Sequence, residues 1–504
     1  MFFITKISRN SVFYNVMTLT FSNIVLHILG FLYRIFLSRM VGSAGMGVYQ
    51  LILPAYSVIS SFCITGLTMA TSRLCALHSA NRNHRTSHKV VSVSIKVFLV
   101  LFFSIAVLIL SFSRFIATDM LGDTRTRLSL FIILPCLLFT GIENILKNYF
   151  FGTSNLKPPI ISELTEQIVR FIAVIALLFI FAPRDAGHSS ALIICGMVIS
   201  EVISVLILSR FYGVRKSDST PVLKSIGEIA FPVAVSAIFN NLLSAANSVL
   251  IPNRLVVYGY SHDAAVSFFG VLFGMTMPTV CLPFGIIGSL ITVIIPKMSE
   301  HTGKVSYLRR KAGKIIHTTS LIALPAVCIL ITFGENICKI MYANPSSGEY
   351  IVPLSIAALF SFYHMSFTAV LNAIGLQRRA AVISVAGGVI QLAGTYLVGC
   401  KAIGIYGFIA GDILSALFCA VFSLIPIIRR LKLHISVANW FLRPILSALS
   451  GTFSARYIYL IAIKDGINTS FALIPSLTIF VLVYLITLRI MGTSFIGYLK
   501  KLQS

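Results

Sequence analysis

Acidic side chains are scarce in this chain, with 15 Asp and Glu among 504 residues against 40 Lys and Arg. Charged residues of both signs reach only 11%, far below the roughly 25% typical of soluble proteins. That excludes an ordinary soluble domain. The nine cysteines are scattered through apolar segments with no CxxC and no Cys/His spacing, which excludes a zinc site or a disulfide framework and leaves them as small buried hydrophobes. Long polar connections are also missing. The loops between apolar runs are mostly under about 20 residues, so there is no room for an extramembrane catalytic domain.

What fills the sequence is hydrocarbon. Hydrophobic residues make up 57%, the mean hydropathy is +0.93, and apolar runs of about 20 residues, each enough to cross a bilayer core, recur from end to end. The expected fold is all-α, a polytopic membrane protein of about 14 transmembrane helices. The N-terminal "MFFITKISRNSVFYN" precedes a run too long for a secretory signal and lacks a small-residue cleavage site, so it is read as leading into the first span.

The net charge of +25 is unevenly distributed. Basic residues gather in alternate loops, among them "RLCALHSANRNHRTSHK", "RFYGVRKSDSTPVLK", "KMSEHTGKVSYLRRKAGK" and "RRLKLHISVANWFLR". Roughly 25 fall on that side and about eight on the other, the pattern of the positive-inside rule. The expectation is a multi-pass plasma-membrane protein with both termini cytoplasmic, its loop lysines meeting anionic lipid headgroups rather than nucleic acid.

An internal repeat is visible. "LPCLLFTGIENILKNYFFGTSNLKPPIIS" and "VPLSIAALFSFYHMSFTAVLNAIGLQRRAAVIS" share an early proline, a late asparagine, a glycine (Gly152, Gly375), a basic turn and a new helix. They lie about six spans apart, an even number, so the two halves are expected to be related by an axis along the membrane normal, with the binding site between them. This divides the chain into an N-terminal lobe (1–217, spans 1 to 6), a C-terminal lobe (218–435, spans 7 to 12) and an appended helix pair (436–504, spans 13 and 14). The polar stretch Tyr212 to Lys224 reads as the linker between lobes.

Charges within spans then need reasons, since each costs something like 2.5 to 3.5 kcal/mol at the bilayer centre on the mild scale. The fifth span, "ISELTEQIVRFIAV", places Glu163, Glu166, Gln167 and Arg170 on one arc. Glu166 and Arg170 form an i, i+4 pair in the favourable order, either a structural seal or a gate. The equivalent second-half helix, "ISVAGGVIQLAGTYLV", carries Gln391 but no charge, which biases the expected site to the N-terminal lobe. In the first span His27, Phe31, Arg34 and Ser38 form one stripe, and Gly30 permits a bend that brings Arg34 and Arg39 to one cavity; alternatively Arg39 snorkels to the headgroups. The seventh span carries Ser236, Asn240, Ser244 and Asn247 on one face, which either lines water or bonds neighbouring helices, and Arg254 follows. Gly270, Gly274, Pro278, Pro283 and Gly288 interrupt the eighth span, where a hinge is expected.

"GFLYRIFLSRMVGSAGMGVYQLILP", "GLTMATSRL", "NYFFGTSNLKPPIISELTEQIVRFI" and "IPNRLVVYGYSHDAAVSFFGVLFGMTMPTVCLPFGIIGSLITVIIPKMSE" resemble the stage V sporulation protein B group of polysaccharide-biosynthesis membrane proteins. That group falls in the multidrug/oligosaccharidyl-lipid/polysaccharide exporter superfamily with the lipid II flippases. The resemblance implies two six-helix lobes around an alternately accessible cavity and no enzymatic activity, cofactor or metal. It implies movement of an undecaprenyl-diphosphate-linked sugar, lipid II-like, from the cytoplasmic to the outer leaflet, with spore cortex synthesis as one setting. The partners it implies are that lipid-linked sugar, membrane lipids and cell-wall synthesis enzymes, with a monomeric chain. Cavity arginines of the flippases map by motif position onto Arg34, Arg39 and Arg254. Asn247 stands where an acid is expected, which argues against ion coupling at that position. The full expected substrate-binding set is Arg34, Arg39, Arg170, Arg254, Asn240 and Asn247, with Glu163, Glu166 and Arg170 as the gating ion pair.

The chemistry of such a substrate is consistent with this set, because guanidinium forks bind phosphate oxygens bidentately. Other readings are a polysaccharide-unit exporter, a transport-inactive scaffold, a cation-coupled drug exporter, which would want a deep acid in the first or seventh span, and a membrane glycosyltransferase. Asp119, Asp123, Asp263 and Asp465 lie in short outer loops without the paired-carboxylate pattern a glycosyltransferase needs.

Overall fold

Every described element of the chain is a helix. The computed structural model describes residues 12–80, 84–213, 222–288, 291, 298, 305–434 and 436–493. Most of the expected linker Tyr212 to Lys224, most of 289–304 and the terminal Lys500 and Lys501 lie outside the described residues. Among the described residues thirteen helical stretches are long and apolar enough to cross a membrane; the first, Phe21–Ser79, has 59 residues. At about 1.5 Å per residue it is long enough for two crossings of a core of roughly 30 Å, so the count comes close to the expected fourteen.

The chain forms two compact units, Met1–Gly270 and Val271–Ser504. In the first, α1 (Val12–Ser60) continues through a π turn at Ser61–Thr65 into α2 (Gly66–Ala80). The helices α3 (His84–Ser111), α4 (Thr126–Gly152), α5 (Lys157–Phe181), α6 (Ala186–Tyr212), α7 (Leu223–Tyr258) and α8 (His262–Val271) follow. The bend in α1 lies at Gly42, whose φ of 68° and ψ of −174° favour a residue without a side chain. This corrects the expected bend at Gly30, which stays within the helix and instead gives Gln167 of α5 room to approach α1.

Local signals set the ends. Pro158 and Pro159 sit in the first turn of α5, where a missing N–H costs nothing, and Ala182 ends the helix in the left-handed region. The Asp185 carboxylate accepts from the amides of Gly187 (2.9 Å) and His188 (3.2 Å) to start α6.

In lipid, helices associate through close packing of small residues rather than through a hydrophobic drive, and glycines mark the crossings here. A Cβ on Gly196 would stand 2.3 Å from Val174 Cγ2, which brings α6 onto α5. A Cβ on Gly47 would stand 2.1 Å from the Val266 carbonyl oxygen, and one on Gly270 2.1 Å from that of Ser43, so the start of the second span crosses α8 backbone to backbone.

In the second unit the main helices are α9 (Val305–Tyr342), α10 (Ile351–Ala373), α11 (Gln377–Tyr396), α12 (Tyr406–Leu431), α13 (Arg443–Lys464) and α14 (Thr469–Ile490). The last two pack on each other and on α9, around a core that includes Leu321, Phe333, Phe480 and Tyr484. The segment expected to be interrupted is so: a π turn at Leu272–Thr276 follows α8, then a short helix ends at Cys281.

Outside the spans, a loop of the first unit is pinned by charge. Arg125 reaches Asp123 at 2.7 Å and Asp263 at 2.9 Å, and His262 approaches Asp123 at 3.4 Å. Burial pushes the Asp123 carboxyl up, but hydrogen bonds from the Arg125 side chain and amide outweigh it and hold the group below its ordinary value.

Two outcomes follow for thermal melting of the purified protein. Gly47→Val destabilises by at least about 2 kcal/mol through overpacking, while Gly227→Ala, with open space around the glycine, is neutral or stabilising by about 0.5 kcal/mol; equal melting of the two variants would contradict the close crossing. Because the Asp123 carboxyl is lowered in the fold, its contribution is complete above the ordinary carboxylate range and fades as pH falls through the folded value. Asp123→Asn accordingly melts lower at neutral pH and shows a flatter acid limb than the parent.

Candidate functional site

The repeated glycine contacts set the register of a buried ionic cluster. α5 and α6 run antiparallel and touch at Val174 and Gly196, so Arg170, four residues back, and Glu201, five residues on, meet about one turn away. Arg170 Nη2 binds the Glu166 carboxylate and reaches Glu201 Oε1 at 3.2 Å, while its Nε donates to Ser200 Oγ at 3.3 Å. From α4, Lys147 Nζ lies 2.7 Å from Glu143, 3.2 Å from Glu166 and 3.6 Å from Glu163. Ser204 Oγ donates to Glu143 and touches Ser162 Oγ at 3.2 Å.

Four carboxylates and two cations thus share one buried place. The Glu143 and Glu201 side chains are 2% and 5% exposed, and Lys147 and Arg170 are 10% and 19% exposed. One oxygen from each of Glu143, Glu166 and Glu201 lies within 4.8 Å of the other two, a grouping able to hold a cation. α1 closes the other side: Tyr33 packs on Phe171 at 6.2 Å, Phe36 meets the same ring edge-on at 5.4 Å, and the phenols of Tyr33 and Tyr49 interact electrostatically with both Arg170 and Arg34. Tyr56 donates to Thr140 Oγ1 at 3.1 Å.

The expected gating residues therefore come together, and Arg34 adjoins the same tyrosines. The other expected residues are placed elsewhere. Arg39 is exposed and Arg254 half-buried; Arg254 follows Asn253, whose side chain lies against Gly122. On α7, Ser236, Asn240 and Ser244 are exposed, and Ser236 and Asn240 donate to backbone carbonyls of Pro232 and Ser236, one turn back. Asn247 is buried, donating to the Leu243 carbonyl at 3.2 Å.

Glu143, Lys147 and Glu201 were not anticipated. The i, i+4 order of Glu143 and Lys147 and a lone acid in "VISEVIS" were the signals available. The stretch of α11 after Arg379, which carries no charge of its own, also gains a carboxylate from its neighbour, since Gln391 Nε2 donates to Asp412 Oδ1 of α12 at 2.9 Å. Among the described residues the asymmetry between halves is consequently one of degree: an ionic cluster in the first unit, the Asp412–Gln391 pair in the second.

Removing a partner from a buried ion pair leaves a bare charge and typically costs about 3–5 kcal/mol. Lys147→Met is expected to lower thermal stability by that amount, and Glu143→Gln in the same chain to restore a part of it. Melting of the two variants alone and combined measures this, and strict additivity would dissolve the cluster into independent pairs.

The sequence of residues 12–302 matches the family described as polysaccharide biosynthesis protein. The chain is 25% identical over 432 residues to stage V sporulation protein B of Bacillus subtilis (strain 168), covering 82% of this chain and 83% of that protein. It is 23% identical over 411 residues to the lipid II flippase MurJ of the same organism, covering 74% and 75%. Among solved structures, a lipid II flippase MurJ in an inward closed conformation shares the fold with a TM-score of 0.73 at 15% identity, covering 95% of this chain and 98% of that one. With more than half of its length matched by the family model, the chain belongs to the polysaccharide biosynthesis protein family.

Proposed function

We propose that this protein is a flippase for a lipid-linked cell-wall precursor, an undecaprenyl-diphosphate-linked sugar of the lipid II kind, which it carries from the cytoplasmic to the outer leaflet by alternating access. The polar face of α7 carries this reading: Ser236, Asn240 and Ser244 are exposed on a spanning helix, and such groups are tolerated at depth where they line water rather than lipid. The kinship with a stage V sporulation protein B and a lipid II flippase supports the substrate class, and spore cortex synthesis belongs to the proposal as its setting.

In this reading Arg34, with Arg39 and Arg254, meets the diphosphate, whose passage through hydrocarbon is eased by guanidinium charge. Asn240 and Asn247 contribute amides along α7. Arg170 is held by Glu166 and Glu201 and exchanges partners when the substrate's phosphates arrive. No covalent chemistry is required of the protein. The lobes 1–217 and 218–435, the appended pair 436–504, cytoplasmic termini and a monomeric state complete the proposal.

External accessibility of the lipid-linked precursor in cells that depend on this protein tests it. Accessibility is expected to fall on depletion and to stay low, by about tenfold or more, with Arg34→Ala, a loss of roughly 1.4 kcal/mol or more. Unchanged accessibility on depletion, with related proteins also removed, overturns the assignment. Exchanging Glu166 and Arg170 for one another is expected to leave transport impaired; full transport would make the pair a structural seal.

A further inference from the structure

A cavity that the transport reading leaves unused lies wholly in the second unit, between the start of α11 and the end of α12. It measures about 590 Å³ and is lined by Arg378 and Arg379 of α11 and Arg429 of α12, with no acidic residue in its wall. Small residues press the two helices together farther along. A Cβ on Gly394 would stand 2.4 Å from Gly411 Cα, and one on Gly387 2.1 Å from Cys419 Sγ, while Ser415 Oγ donates to the Gly387 carbonyl at 2.7 Å. Neither α11 before Gly387 nor α12 after Cys419 has a glycine. Val382 and Ile383 share that wall with Phe422 and Ile425, so the cavity opens where branched and aromatic side chains replace the small ones.

Charge and hydrocarbon are separated along this cavity. The arginines belong to the first turn of α11 and the last turn of α12, whereas Phe422 stands seven residues, about 10 Å, inward from Arg429. Val382 and Phe422 are exposed, so the inner part is open to lipid. Among the described residues none of the three arginines has an ion-pair partner. The first turn of α11 contains no acid, and the positive end of a helix dipole disfavours cations there. Arg378 and Arg379 therefore weaken their own helix. The matching turn of the first half, "SNLKPP", has one base and two prolines where "GLQRR" has the arginine pair, so the repeated fold does not demand that pair. A local conflict with no offset inside the fold marks a site with another purpose.

We propose that this groove holds one anionic glycerophospholipid drawn from the leaflet at that end of the helices. Its phosphodiester sits among the guanidiniums, whose forks match a pair of phosphate oxygens, and an acyl chain follows the apolar wall past Val382 and Phe422. Basic pockets between spanning helices recognise lipid headgroups in this way. A free phosphate would meet the arginines but leave the apolar wall without an occupant. Bound there, the lipid bridges the arginine ends of α11 and α12, which glycines join only farther along. None of the three arginines belongs to the set assigned to the transported substrate, so the lipid is a resident of the second unit and not cargo.

Purified full-length protein, delipidated in a neutral detergent, is titrated with phosphatidylglycerol or with phosphatidylcholine, and the bound lipid is counted by native mass spectrometry. One tightly retained phosphatidylglycerol per chain is expected, with phosphatidylcholine weaker by about tenfold or more. Combining Arg379→Gln with Arg429→Gln is expected to weaken the site by about tenfold or more. Combining Arg430→Gln with Lys432→Gln removes the same charge from the end of α12 but outside the cavity wall, and is expected to keep it. Equal affinity of the parent for the two lipids overturns the site. So does equal loss in the two double variants, which would reduce it to attraction at the membrane surface. Full displacement of the lipid by inorganic phosphate would make the groove a free-anion site, and displacement by an undecaprenyl-diphosphate-linked sugar would make it part of the substrate path. Either result overturns the resident lipid.

Discussion

A guanidinium and an ammonium held among four carboxylates, inside helices that otherwise bury hydrocarbon, are the constraint on which the first unit depends. Placing such charges away from water is costly, and the cost is offset only where geometry and hydrogen bonds are good. That requirement reaches back into the packing. Gly196 must stay small for α6 to lie on α5 at Val174, because that contact sets Glu201 opposite Arg170. Ser162, Ser200 and Ser204 are each fully buried; Ser200 accepts from Arg170, and Ser204 donates to Glu143 and to Ser162. Small residues that serve close packing in a membrane thus also serve the electrostatics.

The phenols of Tyr33 and Tyr49 on α1 interact electrostatically with both Arg34 and Arg170, and in the proposed function this is the route by which an anionic headgroup drawn to Arg34 acts on the cluster. In the same proposal diphosphate oxygens compete for Arg170, and the carboxylates it releases are left exposed to one another's charge.

Much of this was legible before any coordinates, and the illegible part has a physical reason. Hydropathy and loop charge give the helical membrane fold because a bilayer leaves few alternatives. Glu163, Glu166 and Arg170 can be placed on one face from sequence because all three lie on one helix, where a period of 3.6 residues suffices. Glu143, Lys147 and Glu201 escaped because their partners are on other helices, and the register between helices is set by glycine contacts that a single sequence does not display. The bend was expected at Gly30, near the arginines, and lies at Gly42; helical glycines and glycines at positive φ look alike in sequence, although "MVGSAGMG" holds three in eight residues. Asp412 was missed for the same reason as Glu201: its partner, Gln391, is on the preceding helix.

The central claim, that a buried charged cluster serves the passage of an anionic lipid headgroup, is tested most directly in reconstituted vesicles. The purified protein would be supplied with an undecaprenyl-diphosphate-linked sugar in one leaflet, and its appearance in the other followed by an impermeant headgroup reagent. The account predicts faster exchange with the parent protein than in protein-free vesicles, and loss of that acceleration in a folded Arg170→Gln variant. A folded parent protein that leaves the exchange rate at the protein-free level would contradict it.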